Sequence, residues 1–258
     1  MFLPPGFDRS LALEAGALVV QAYEQFQKFK QGQAWNLQGR YDTLGLLSAK
    51  PEGLFAHVEP FGFVARSQDS GSLFVTFRGT ESPADWLSDF TFPQVPHPWG
   101  HAEDGFSHLY DQCSAAVKTA VRGAGPAPNV FVTGHSLGSG LATLATADLV
   151  NSGVAPQASM YTFAAPRVGD LEFAANFNQR VAVRWRIVNT EDIVTTVPIA
   201  TPDLFEDSHP HSAFGILLML ARKLNYEHVG FPVNFTTHNG SIAGNHAMQV
   251  YLDALQAS

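Results

Sequence analysis

Residues 129–147 read NVFVTGHSLGSGLATLATA, and the order of residue types here decides the fold. Val130 to Thr133 form a short apolar run rich in β-branched and aromatic residues, the composition of a buried strand. From Ser139 onward, Ala, Leu and Thr predict a helix reaching Asn151. Between the two, GHSLG sets Ser136 between Gly134 and Gly138, the pattern G-x-S-x-G in a strand-to-helix context. So tight a turn holds the serine hydroxyl clear of the backbone. A side chain at either flanking glycine would meet the neighbouring strand or helix, which accounts for both glycines sterically. The helix start also aims backbone N–H groups and a partial positive charge towards the serine. Ser136 is therefore read as a nucleophile.

Working outward, residues 11–29 have helical apolar spacing, and residues 61–66 and 72–79 read as two strands of a hairpin around SQDSGS. A proline-rich loop, FPQVPHPWG, precedes a helix predicted over 105–121. Strands are expected at 160–163 and 183–188, and His246 is expected to open a last helix ending at Leu255, with Asn245 as its N-cap. Strands alternating with helices imply an α/β domain with a mostly parallel sheet covered on both faces. Ligands gather beyond the carboxyl ends of such strands, so site residues are expected in the loops that follow them. No repeat or low-complexity linker divides the chain, and residues 1–258 are read as one domain.

Composition narrows the function classes. Hydrophobic residues make up 45% of the 258 and charged residues 15%, which suits a globular core and not a disordered chain. A net charge of −8 without a Lys/Arg cluster argues against nucleic acid as a partner. The single cysteine, Cys113, leaves no intramolecular disulfide framework or cysteine-based zinc cage and is read as a buried thiol. The opening MFLPPGFDRS has two early prolines and no basic n-region, so it is not read as a secretory signal, and the location stays open. The longest apolar run, residues 213–221, is well short of the ~20 residues of a membrane span.

A serine hydroxyl needs a base, and this fold supplies its partners in the order Ser, Asp, His. Asp192 follows the predicted strand 183–188 in NTEDIVTTVP, with Glu191 beside it as a rival and Asp170 and Asp207 further off. For the base, His246 competes with His228 and His238. His135 adjoins the nucleophile but is expected to point to the opposite side of the turn.

FRGT (77–80), VTGHSLG (132–138), FAAPRVG (163–169), NTEDIVTTVP (189–198) and a late histidine before a helix together resemble the class 3 lipases, the family of filamentous-fungal triacylglycerol lipases. The resemblance runs from about residue 61 to the C-terminus. It implies an α/β-hydrolase fold with a short helical lid, carboxylic-ester hydrolysis, and a triad of Ser136, Asp192 and His246. Backbone N–H groups of Thr80 and Leu137 would form the oxyanion hole, with Asp89 orienting the Thr80 hydroxyl. The resemblance also makes residues 81–90 a lid, whose Trp86, Leu87 and Phe90 fall at helical spacing and would meet substrate.

This sequence departs from the family in several places. Ser139 stands where a second glycine follows the elbow, Glu103 stands where a histidine often precedes GF, and no disulfide can form. A greasy insertion, residues 199–224, is read as a second flap beside the acyl groove, with a core-packed helix as its alternative. Asp207, His209 and His211 lack a fourth ligand and are not read as a metal site. The expected function is a serine carboxylester hydrolase, foremost a triacylglycerol lipase. It would be a monomer that meets its ester lipid at a lipid–water interface and requires no cofactor. A feruloyl esterase or phospholipase is the same chemistry on another ester, and a non-catalytic lipid-binding protein is the reading from a different class.

Overall fold

The computed structural model describes residues 1, 3–51, 57–81, 93–198 and 225–258. Helix α1 (Arg9–Lys30) buries Ala12, Ala15, Leu18, Val19, Ala22 and Phe26 along one stripe, and Asp8 caps it by accepting from the Leu11 N–H at 2.9 Å. Two antiparallel strands follow, β1 (Tyr41–Ala49) and β2 (Glu59–Ser67), and β2 pairs antiparallel with β3 (Leu73–Phe77). A separate hairpin, β4 (Gln94–His97) and β5 (Gly100–Glu103), leads into α2 (Asp104–Gly123). Then come β6 (Val130–His135), α3 (Leu137–Asn151), β7 (Ser159–Phe163), α4 (Leu171–Arg180) and β8 (Arg184–Asn189). A 3-10 turn (Ile193–Thr196), β9 (Phe231–Phe235), α5 (Ile242–His246) and α6 (Met248–Gln256) complete the described elements.

The main sheet has the order β1-β2-β3-β6-β7-β8-β9, and every pairing from β3 to β9 is parallel. One face packs on α2 and α3, where Phe106, Cys113, Leu141 and Leu144 meet Val75, Val132 and Met160. The other packs on α1 and α6, where Val19, Tyr251 and Leu252 meet Tyr161, Phe163 and Ile187. With helices on both faces, β3 is buried at all five positions, which is why it reads as an unbroken apolar run. This is the expected α/β architecture, a mixed and mostly parallel sheet.

Glu103 acquires a local explanation. Its carboxylate caps α2, accepting from the Gly105 N–H at 2.9 Å and the Phe106 N–H at 2.7 Å. Two expectations are corrected. The proline-rich stretch is not simply a loop, because it holds β4, which pairs with β5 starting at its last residue, Gly100. His246 does not open the last helix: it closes α5, whose N-cap is Ser241, and α6 starts after Ala247. Nearly all of the candidate lid (82–90 of 81–90) and the whole candidate flap 199–224 lie outside the described residues, and with them Asp89, Trp86, Leu87 and Phe90.

Candidate active site

The carboxyl end of β6 turns directly into α3, and Ser136 is the single residue between them, at φ 60° and ψ −130°. A positive φ at a non-glycine residue costs on the order of 1–3 kcal/mol and persists only where the surroundings enforce it. They do so here. A Cβ on Gly134 would lie 2.1 Å from the Gly138 carbonyl oxygen, and one on Gly138 would lie 2.4 Å from the Arg78 carbonyl oxygen. The Ser136 N–H donates to the Phe163 carbonyl at 3.0 Å, tying the turn to β7. Ser139 joins the same tie: its hydroxyl reaches the carbonyls of Gly134 at 2.7 Å and Phe163 at 2.8 Å. The departure from glycine at that position thus gives a bond between elbow and sheet. Ser136 Oγ is buried and, among the described residues, has no hydrogen-bond partner.

Asp192 lies beyond the end of β8 and caps the 3-10 turn, its Oδ1 accepting from the Val194 N–H at 3.0 Å. Its Oδ2 faces two donors, His246 Nδ1 at 2.7 Å and the Tyr251 hydroxyl at 2.5 Å. Both members of the Asp–His pair are almost wholly buried. A carboxylate oxygen only accepts, so the proton of neutral His246 sits on Nδ1 and its Nε2 is left as the basic nitrogen. That Nε2 is buried and, among the described residues, has no hydrogen-bond partner. Tyr251 is held in its donor form: burial above all, and then Asp192, push its pKa well above the usual tyrosine value. No local signal in the sequence marks Tyr251, which was not anticipated.

The rival residues fall elsewhere. Glu191 and His238 face each other at 3.2 Å on the exposed side of the loop. Asp170 caps α4 and contacts His101, and His228 Nε2 donates to the Thr195 carbonyl at 2.8 Å. Asp207 lies outside the described residues. Asn245 caps nothing. Its side chain joins the His246 loop to the acid loop, donating to the Glu191 carbonyl at 2.9 Å and accepting from the Asn239 N–H at 2.6 Å.

The His135 ring packs 4.6 Å from that of His246. His135 Nε2 donates to the His246 carbonyl at 2.8 Å, and its Nδ1 faces the Tyr23 hydroxyl at 2.8 Å. Burial first, and then the neighbouring His246, hold the His135 pKa well below the ordinary histidine value, so this ring is neutral.

Thr80 lies just beyond β3, the strand paired with β6 and so beside the elbow, and Leu137 opens α3, where backbone N–H groups have no intrahelical acceptor. A cavity of about 430 Å³ opens between α1 and α6, walled by Tyr23, Gln27, Thr80, Glu81, His246 and Gln249. Among the described residues, no helix is long and apolar enough to cross a membrane.

A serine forced into a strained turn at the end of a central strand, with a buried imidazole–carboxylate pair from two later loops, defines a protein of the α/β-hydrolase class. Comparison with known proteins narrows this. Residues 74–201 match the model of the family described as Lipase (class 3). A secreted mono- and diacylglycerol lipase of Fusarium solani is 33% identical over 145 residues, covering 53% of this chain and 42% of its own. Phospholipase A1 EG1 of Oryza sativa subsp. indica is 27% identical over 235 residues, covering 76% of this chain and 52% of its own. Among solved structures, the lipase of Rhizopus microsporus var. chinensis superposes with a TM-score of 0.59 at 26% identity, over 74% of this chain and 70% of that one. Residues 74–201, just under half of the chain, place that part of it in the class 3 lipase family. The chain spans about half the length of the curated relatives it matches.

Proposed function

We propose that the protein hydrolyses carboxylic esters with Ser136 as nucleophile, and that its substrates are acylglycerols met at a lipid–water interface. The observation that carries this reading is the buried 2.7 Å contact between Asp192 Oδ2 and His246 Nδ1. It leaves Nε2, without a hydrogen-bond partner among the described residues, in a ring packed against His135, the residue preceding Ser136. The direct serine–histidine hydrogen bond often tightens only when substrate is bound.

In this mechanism Ser136 Oγ attacks the ester carbonyl carbon, and its proton passes to His246 Nε2. Asp192 orients the ring and stabilises the imidazolium. The carbonyl oxygen, now negative, is held by the N–H groups of Thr80 and Leu137. Collapse of the tetrahedral intermediate breaks the bond to the alcohol oxygen, which takes the proton from Nε2. Water then repeats the cycle on the acyl-enzyme, releasing the acid and restoring Ser136.

Two considerations support acylglycerols: the name of the Fusarium solani relative, and a net charge of −8, which opposes adsorption to anionic membrane surfaces. The Oryza relative's name supports phospholipase A1 as the second reading. The test compares hydrolysis of emulsified long-chain triacylglycerol and diacylglycerol, a phosphatidylcholine vesicle and a soluble short-chain ester, with Ser136→Ala as control. Acylglycerol turnover that rises at the interface and is lost in the variant supports the proposal. Preference for the vesicle moves the substrate to phospholipid. Full activity in Ser136→Ala overturns the mechanism.

A further inference from the structure

The peptide unit joining Gly79 to Thr80 carries the N–H that the proposed mechanism assigns to the oxyanion hole. Both it and the peptide unit before it are gripped by side chains outside the triad, the buried Arg78 and the half-buried Tyr23. The Gly79 carbonyl, at the other end of the unit that bears the Thr80 N–H, accepts from Arg78 Nη1 at 2.8 Å. The Gly79 N–H, on the preceding unit, donates to the Tyr23 hydroxyl at 3.0 Å. Two adjacent peptide planes fixed in this way leave the intervening backbone little freedom to turn, which sets the direction of the Thr80 N–H. A cation on the carbonyl of an amide also polarises its N–H, making that donor stronger.

Each grip is anchored in turn. The Arg78 guanidinium is 2% exposed and lies between the rings of Phe26 and Phe61, 3.6 and 4.4 Å from their centroids. Its Nε donates to the Pro60 carbonyl at 2.7 Å and its Nη2 to Glu59 at 2.5 Å. On the other side the proton positions follow by elimination. The Gly79 N–H must donate, so the Tyr23 oxygen accepts from it and spends its own proton on His135 Nδ1. His135 Nε2 must then carry a proton, because its partner is the His246 carbonyl oxygen. The donors therefore run in one direction, from the oxyanion loop through Tyr23 and His135 to the backbone of the residue proposed as base.

We propose that Arg78, Tyr23 and His135 are positioning residues that fix the plane of the Thr80 N–H and hold it in register with His246. The proposal rests on the mechanism above, with Ser136 as nucleophile and Thr80 as an oxyanion donor. Its signature is a loss confined to the transition state, because a tetrahedral oxyanion needs the aligned N–H and a bound ester does not.

The test uses the full chain with Tyr23→Phe, which removes one oxygen atom, and His135→Gln as a second variant. For each, kcat and KM on a soluble short-chain ester are measured beside the Ki of an alkylboronic acid, whose tetrahedral serine adduct places an oxygen in the oxyanion hole. The expected result is kcat lower by about tenfold, less than the ~10²–10³ for deleting a donor outright, with KM within twofold and the boronate Ki raised in step with the fall in kcat. A residue that merely supports the fold would lower Tm without this split. If either folded variant keeps both kcat and boronate Ki, or loses kcat with Ki unchanged, the proposal is overturned. Should Tyr23→Phe fail to fold, His135→Gln decides it alone. If the wild-type protein neither hydrolyses ester nor binds boronate, the underlying mechanism falls and the proposal with it.

Discussion

Gly134→Ala tests the elbow most directly. The added methyl carbon would lie 2.1 Å from the Gly138 carbonyl oxygen, 2.4 Å from its carbon and 2.9 Å from the Ser139 nitrogen. All three are backbone atoms in the first turn of α3, so no side chain can swing aside. To restore even a 3.0 Å contact that turn must retreat by about 0.9 Å, and it carries Ser136 and Leu137 with it. Overpacking of this kind costs about 1–3 kcal/mol. In a domain of this size that corresponds to a fall in Tm of roughly 2–12 °C. A displacement near 1 Å in reacting groups can cost on the order of 10²-fold in rate. Thermal unfolding by circular dichroism and the rate of fluorophosphonate labelling of Ser136 measure the two effects separately. Gly123→Ala is the control: its methyl group meets nothing within 4 Å at the end of α2, and it should leave Tm equal or raise it slightly. A Gly134→Ala protein with wild-type Tm and labelling rate would refute the packing argument.

Three further outcomes follow from buried polar groups. Tyr251→Phe removes the hydroxyl that donates to Asp192 Oδ2 at 2.5 Å, and loss of a hydrogen bond to a buried charge should cost about 1.5–3 kcal/mol in urea unfolding; an unchanged midpoint would sink that assignment. Ser139→Ala removes the hydroxyl bridging the Gly134 and Phe163 carbonyls, with about 1–2 kcal/mol expected by the same measurement and a wild-type curve as the contrary result. Burial first, and then Arg186 and Arg167, lower the His228 pKa from 6.5 to about 3, so between those values the unfolded chain binds the proton that the folded chain refuses. That contribution to stability is intact above pH 6.5 and is lost at roughly 1.4 kcal/mol per pH unit as pH falls towards the folded pKa. His228→Gln should therefore lose less stability than wild type between pH 7.5 and 4.5, and equal losses would contradict the linkage.

What could be read from the sequence depended on how local its cause was. The elbow was legible because a steric demand confined to a few residues dictates both glycines and the strand and helix around them. The edge strands were not. β9 contains Pro232, which suits only an edge, and β1 alternates irregularly across two register shifts. Proline likewise hid the β4–β5 hairpin, where Pro96 sits in a strand with a single partner.

Among the site residues, Glu191 and Asp192 are neighbours of similar chemistry, and composition or spacing alone could not separate them. The turn at the end of β8 leaves the Glu191 side chain 42% exposed and the Asp192 side chain wholly buried, so only one of them can orient an imidazole away from water. The residues that hold the site are less legible still. Tyr251 meets Asp192 across 59 positions, and Tyr23 meets His135 across 112. No backbone constraint marks either tyrosine, and each resembles any other aromatic residue on the buried face of a helix. Their polar ends matter because the sheet brings four strand termini together, and at that convergence an unsatisfied hydroxyl or imidazole would be costly. A group that reacts can therefore be inferred from its own neighbours in sequence, whereas a group that positions it emerges only when the strand ends are assembled.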